Sequence, residues 1–288
     1  MVYFTLGIRS GVGPGRTSVI DKRREEEKSM EKKRNISRKL GVITLCLTLA
    51  ASAALAFAAT KEGLVEYIGA QKQIFATGKA EPVIHLSELA DRKNLFAIGP
   101  VEGLDGEITI FDSKANVSQV RGDDYQVDHS FNHGAIFLVW SEQEKWSREI
   151  AVPETVQSYP DLQNFVREQA KSAGVNTDKP FPFRLSGTPR TVNWHINVNR
   201  SEGQAISKAI FAKSKAAYLL KNEPVEIIGF YSETHPGVFI SQYAPAIPPD
   251  SGKKNAIHMH LIAKDGKATG HIDDLSLRGT MVLRLPAS

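Results

Sequence analysis

Strand-like patterns outnumber helical ones along this chain. Thr191 to Val198 sets Val192, Trp194, Ile196 and Val198 on alternate positions, the period of two that marks a half-buried strand. Ala256-Ile257-His258-Met259-His260-Leu261-Ile262 alternates as strictly. Phe96 to Phe111 reads as strand, turn and strand around Gly103, Asp105 and Gly106. Gly134 to Trp140, Phe183 to Gly187 and Val225 to Phe230 are further apolar strand candidates. Helical spacing is clearest from Glu154 to Ser172, where Leu162, Phe165, Val166 and Ala170 share one face and Gly174 offers a stop. Thr60 to Ala76, His85 to Ala90 and Ala205 to Leu219 are also compatible with helix, and Tyr243 to Lys254 is a Pro/Gly-rich loop. The sum is an α+β class of mixed sheets with a few helices, in two similar-sized halves of roughly 59–175 and 176–288.

The second alternating stretch carries the chemistry. His258 and His260 share a face with Ile262, and Lys264-Asp265-Gly266-Lys267 follows. Asp-Gly between two strands predicts a two-residue type I′ turn, and that turn sets the register of the hairpin. Lys264 then faces Lys267, Ile262 faces Thr269, and His260 faces His271. Opposed residues have Cβ atoms about 4.5–5.5 Å apart on one face of a sheet, so three imidazoles converge. With bonds of about 2.0–2.1 Å, one metal ion can bridge them and keep a coordination position open for a substrate. Zinc suits three imidazoles, as do other divalent transition metals. His85, His129, His133, His195 and His235 show no comparable register and read as ordinary histidines.

Charge and cysteine content narrow the setting. The formal charge is +4, but residues 1–58 hold eleven of the 36 Lys/Arg and five of the 32 Asp/Glu. From residue 59 onward 25 basic side chains face 27 acidic ones, so no basic field attracts nucleic acid. Met30 to Lys39 is a positive segment, Leu40 to Leu55 is apolar, and Ala56-Phe57-Ala58 is a small-residue cleavage pattern. Residues 30–58 are therefore expected to be a signal peptide. Residues 1–29 are expected to be a disordered, over-extended start, and 59–288 the mature domain. The only cysteine, Cys46, lies in the apolar stretch, which leaves the mature chain without thiolate ligands, disulfides or a Cys nucleophile. An exported protein of the bacterial periplasm or exterior, off the membrane after cleavage, follows.

These residues resemble the α-acetolactate decarboxylases. The family's zinc ligands stand in an H-x-H-x(10)-H arrangement, here His258, His260 and His271, followed by Ile272-Asp273-Asp274-Leu275. Leu104-Asp105-Gly106-Glu107 resembles the family's L-D-G-E segment, whose glutamate reaches the active site. Phe183 to Thr188 resembles the strand before the catalytic arginine, and Ile228-Gly229-Phe230 the segment leading to the H-x-H strand. The similarity runs from about Tyr67 to Pro286. Three positions depart from it. His195 stands where the arginine is expected, with Arg190 and Arg200 nearby but out of register, and Pro100 stands for a threonine. A glutamate beyond the last ligand has no counterpart before Ser288.

The resemblance implies a metal-dependent lyase that converts a small 2-hydroxy-3-oxo acid such as 2-acetolactate to acetoin and carbon dioxide. His258, His260 and His271 would bind zinc, Glu107 would meet the substrate, and His195 or Arg190 would donate the proton. A metabolite-capturing protein without turnover, or a zinc hydrolase with Glu107 as general base, are the other readings. Self-association as a homodimer stays open.

Overall fold

The computed structural model describes residues 23–34, 58–241 and 254–287. The chain divides into two compact units, Met1–Ala56 and Phe57–Ser288. In the first, residues 23–34 form a helix, α1, exposed along its whole length, so the end of the segment expected to be disordered is helical. The apolar stretch, Cys46 and the cleavage pattern up to residue 57 lie outside the described residues, as does most of the expected loop at Tyr243 to Lys254. Among the described residues no helix is long and apolar enough to cross a membrane.

The second unit is α+β and contains two large sheets. The first takes β1 (Thr60–Glu62), β2 (Val65–Ile68), β4 (Leu95–Pro100), β5 (Glu107–Phe111), β6 (Lys114–Arg121), β7 (Asp124–Asp128) and β9 (Leu138–Glu142), in the order β1-β2-β9-β4-β5-β6-β7. The second takes β10 (Ile150–Ala151), β11 (Phe181–Gly187), β12 (Thr191–Asn197), β13 (Lys215–Lys221), β14 (Val225–Tyr231), β15 (Ile257–Ala263), β16 (Thr269–Ser276) and β17 (Met281–Arg284). Its order is β10-β17-β11-β14-β15-β16-β12-β13. A short ribbon pairs β3 (Ile84–His85) with β8 (Gly134–Ala135). The helices are α2 (Gln71–Thr77), α3 (Tyr159–Ser172) and α4 (Lys208–Lys213). Every pairing between these strands is antiparallel, where mixed sheets were expected. The sheets divide between Glu142 and Ile150 rather than near residue 175.

Two expected helices are helical only in part. Thr60 to Ala76 opens as the hairpin β1–β2 around a turn at Gly63-Leu64, and only α2 at its end is helical. Ala205 to Leu219 contributes the six residues of α4 and then enters β13. Alanine and lysine do not discriminate between the two states. Burial decides, because Tyr218 of β13 stacks on Trp194 of β12 with ring centroids 4.7 Å apart. The helix expected from Glu154 starts at Tyr159, where Ser158 caps it: Ser158 Oγ accepts from the Asp161 amide, and Asp161 Oδ2 accepts from the Ser158 amide.

The strands alternate between two buried faces. In β15, Ile257, Met259 and Leu261 join Leu162, Val166 and Ala170 of α3 in one core. His258 and His260 point the other way. In β4, Leu95 and Ala97 belong to the outer core of the first sheet, with Ile108 and Ile110 of β5. Phe96 and Ile98 face inward and meet Ile228 and Phe230 of β14 in a third core between the sheets. Glu107 and Thr109, on the other face of β5, look into that same interlayer. The chemistry is thus enclosed between two apolar layers.

Because α3 covers the outer face of the second sheet, Leu162→Ala is expected to cost about 2–5 kcal/mol, the range for emptying a fully buried leucine site. Urea unfolding of the two proteins measures it, and a change below about 1 kcal/mol would contradict the packing described.

Candidate functional site

The hairpin β15–β16 has the expected register through a different turn. Ile262 pairs with Thr269, Leu261 with Gly270 and His260 with His271. The loop is four residues rather than two. The Ala263 amide donates to the Ala268 carbonyl at 2.8 Å, and the Gly266 amide to the Ala263 carbonyl at 2.8 Å. Gly266 takes a φ of +72°, whereas Asp265 is not among the residues with positive φ, as a type I′ turn would require. Both loops add residues symmetrically, so the pairing beneath them is the same. Lys264 and Lys267 lie in the loop instead of closing the ladder.

On the far side of β16 lies β12, and His195 pairs directly with His271. Gly270 allows this approach, since a Cβ there would lie 2.6 Å from the His195 carbonyl oxygen. The β12–β16 register then slips by one residue between Asn193 and Trp194, leaving Asp273 of β16 without an opposite residue. This bulge aims Asp273 at His195, with Oδ2 and Nδ1 2.7 Å apart. Lys215, the first residue of β13, donates from Nζ to Asp273 Oδ1 at 2.8 Å.

His258 Nε2 and His271 Nδ1 are 3.0 Å apart, and Thr109 Oγ1 lies 3.0 Å from His260 Nδ1. A ring nitrogen of each of His258, His260 and His271 falls within 4.8 Å of the others. His195, His271 and Asp273 form a second such group. From the opposite sheet Glu107 completes the cluster. Its Oε2 is 3.6 Å from His260 Nε2, its Oε1 is 3.6 Å from His195 Nε2, and Asn197 Nδ2 donates to Oε1. A cavity of about 40 Å³ adjoins these groups, bounded also by Pro100, Gln71, Phe137, Phe211 and Phe239. That volume holds roughly three water molecules.

Burial governs the protonation of the site. It drives the His258 pKa down to about 3, with a partial offset from the Phe239 backbone. It holds His260 and His271 well below the usual imidazole range, and neighbouring histidines add to the effect. His195 is lowered by burial against the opposing pull of Asp273. Burial raises the Glu107 carboxyl well above the usual range. It raises Asp273 too, but the His195 hydrogen bond and Lys215 outweigh it and leave that carboxyl below its ordinary value. The cluster is therefore a set of neutral imidazoles at neutral pH, the form that donates a lone pair to a metal. His260 Nε2 is fully buried with no hydrogen-bond partner. Neutral nitrogen donors, one of them orphaned, fit a divalent transition-metal ion.

Glu107 and His195 accordingly meet the three hairpin histidines. Arg190 does not, being exposed at the bend before β12, five residues and about 16 Å of extended chain from His195. Pro100 pairs with Glu107 across β4–β5, at the rim of the cavity. Thr109, Asn197, Asp273 and Lys215 also reach the cluster, none of them among the expected site residues. The first three sit two residues along a strand from Glu107, His195 and His271, the same-face spacing that paired His258 with His260. Lys215 carried no such signal.

The chain matches the alpha-acetolactate decarboxylase family over residues 70–284. Among solved structures, an alpha-acetolactate decarboxylase from Bacillus subtilis superposes with a TM-score of 0.57 and 17% identity, covering 77% of this chain and 85% of the other. A Staphylococcus aureus protein of unknown function, described as similar to alpha-acetolactate decarboxylase, gives 0.58 and 15% identity, with 76% and 84% covered. At such identities the likeness shows the fold. No curated protein matches the chain. This chain belongs to the alpha-acetolactate decarboxylase family.

The buried imidazoles make the metal-free protein acid-sensitive. Their folded pKa values lie below the unfolded value of about 6.5, so below pH 6.5 the unfolded chain binds more protons and stability falls. The decline continues toward pH 3, the folded value of His258. Glu107 acts oppositely, removing stability as pH rises above 4.5, but is one group against three. Urea midpoints of chelator-treated protein are expected to drop steadily from pH 6.5 to 4.5, and a flat profile would contradict the burial of these rings.

Proposed function

We propose that this protein is a metal-dependent carboxy-lyase acting on a small 2-hydroxy-3-oxo acid of the 2-acetolactate type, giving acetoin and carbon dioxide. The observation that carries this is the meeting of three neutral imidazoles with Glu107 from the opposite sheet, beside a small cavity, in a chain of this family. His258, His260 and His271 would hold the ion, with zinc as the first candidate. A bound divalent ion supplies a Lewis acid for the negative charge left on the substrate when the bond to its carboxylate carbon breaks.

The remaining work falls to the protein's own groups. The carbon that loses carbon dioxide must gain one proton. His195 is suited to relay it: with its Nδ1 hydrogen held by Asp273, Nε2 takes a proton from the Glu107 carboxyl 3.6 Å away, whose protonated form burial favours, and passes it on. It stands where the family resemblance expects an arginine, and Arg190 is too distant to share the task. Glu107, steadied by Asn197, is placed to accept a hydrogen bond from a substrate hydroxyl when ionised and to donate one when protonated. Phe137 and Phe239 exclude water from the reacting end.

The test is acetoin formation from 2-acetolactate by metal-loaded protein, alongside metal analysis. His260→Ala is expected to lose both metal and product. Thr109→Val, which removes the group at His260 Nδ1, is expected to lower metal affinity roughly 10- to 100-fold. His195→Gln is expected to keep the metal and lose about 10²- to 10⁴-fold in turnover, the usual share of a proton-transfer group. Absence of acetoin from metal-replete wild type would overturn the assigned reaction, and full activity in His195→Gln would overturn the proton donor.

A further inference from the structure

We propose that Lys215 is the carboxylate-binding residue of this site, so that the fixed positive charge of the substrate pocket comes from β13 rather than from an arginine on β12. The inference rests on the decarboxylase reading for its substrate class, but it has its own geometry. Among the described residues bounding the cavity, Lys215 is the one lysine or arginine. Its ammonium group is shared with Asp273 at 2.8 Å and its side chain is about one-third exposed, leaving N–H donors for a ligand. Asn197, paired with Lys215 across β12–β13, joins it on the cavity wall.

Two orphaned groups indicate the rest of the ligand. Asn197 Oδ1 and Gln71 Oε1 are buried without hydrogen-bond partners, and both residues bound the cavity. An unpaired buried acceptor is costly, and a ligand hydroxyl satisfies one of them. Phe137, Phe211 and Phe239 supply an apolar wall that admits groups the size of a methyl. A carboxylate at Lys215, a hydroxyl at the amide oxygens and small alkyl groups against the aromatic rings describe a short branched 2-hydroxy acid.

The arrangement also separates recognition from proton delivery. Asp273 is held by both Lys215 and His195, so a carboxylate drawn to Lys215 enters the cavity that His195 also lines. Lys215 needs to do nothing to the reacting bond. Its contribution is to choose acids over neutral hydroxy ketones.

The experiment compares two probes by calorimetry on metal-loaded protein: 2-hydroxyisobutyrate, which has the carboxylate, and acetoin, which lacks it. Lys215→Met is expected to weaken 2-hydroxyisobutyrate binding roughly 10- to 100-fold, leave acetoin binding unchanged, and retain the metal. Lys215→Arg is expected to restore most of the loss, and Lys215→Gln serves the same comparison if the methionine variant fails to fold. Equal weakening of both probes would mean that Lys215 only supports Asp273, and would overturn the proposal. So would unchanged 2-hydroxyisobutyrate binding, or its absence in wild type. Acetoin production measured in parallel keeps the two claims apart. Lys215-dependent acid binding without turnover removes the reaction and keeps the subsite, while turnover with an unchanged KM in Lys215→Met removes the subsite alone.

Discussion

Four imidazoles and the carboxyls of Glu107 and Asp273 are gathered beside two apolar sheets, and much of the structure follows from having to support them there. Taking such groups out of water costs several kcal/mol each unless they are neutral or paired. The pleat makes the arrangement unavoidable. Once Ile257, Met259 and Leu261 pack under α3, His258 and His260 must face the other sheet. The protein meets the cost in two ways. Burial keeps the imidazoles uncharged, and neighbouring groups such as Thr109, Asn197 and Lys215 supply hydrogen bonds at particular atoms. What stays unsatisfied, above all His260 Nε2, is a lone pair free to bind a metal ion.

The same constraint bears on residue 195, where the family resemblance leads one to expect an arginine. An arginine there brings a charge that never leaves, whereas a histidine can be buried uncharged, as His195 is here. Asp273, brought into reach by the bulge in β16, holds the histidine ring, and Lys215 holds Asp273 in turn. A chain of three side chains from adjacent strands thus stands where one long side chain is expected. On this account the positive charge and the transferable proton, combined in an arginine, are divided between Lys215 and His195.

How much of this was legible beforehand depended on distance along the chain. The meeting of His260 with His271 could be read because a short loop joins their strands, and even the wrong turn type preserved the register. His195 pairs with His271 across 76 residues, and no local pattern announces that β12 lies beside β16. It could therefore be singled out by resemblance but not by geometry. Asp273 shares a face with His271, but its reach to His195 was hidden, since a bulge shifts the β12–β16 register at that point. The helices expected at Thr60 to Ala76 and Ala205 to Leu219, each only partly formed, share a cause. Both are short segments of ambiguous composition whose state is set by strands they meet only after folding.

The central claim is that His258, His260 and His271 hold one metal ion, and the ligand shell of that ion tests it most directly. X-ray absorption at the edge of the metal that co-purifies with the protein should report three imidazole nitrogens at about 2.0–2.1 Å, with the remaining position open to oxygen. His260→Ala should reduce that count or empty the site. Protein that binds no transition metal, or whose metal keeps three imidazole ligands in the His260→Ala variant, would contradict the account.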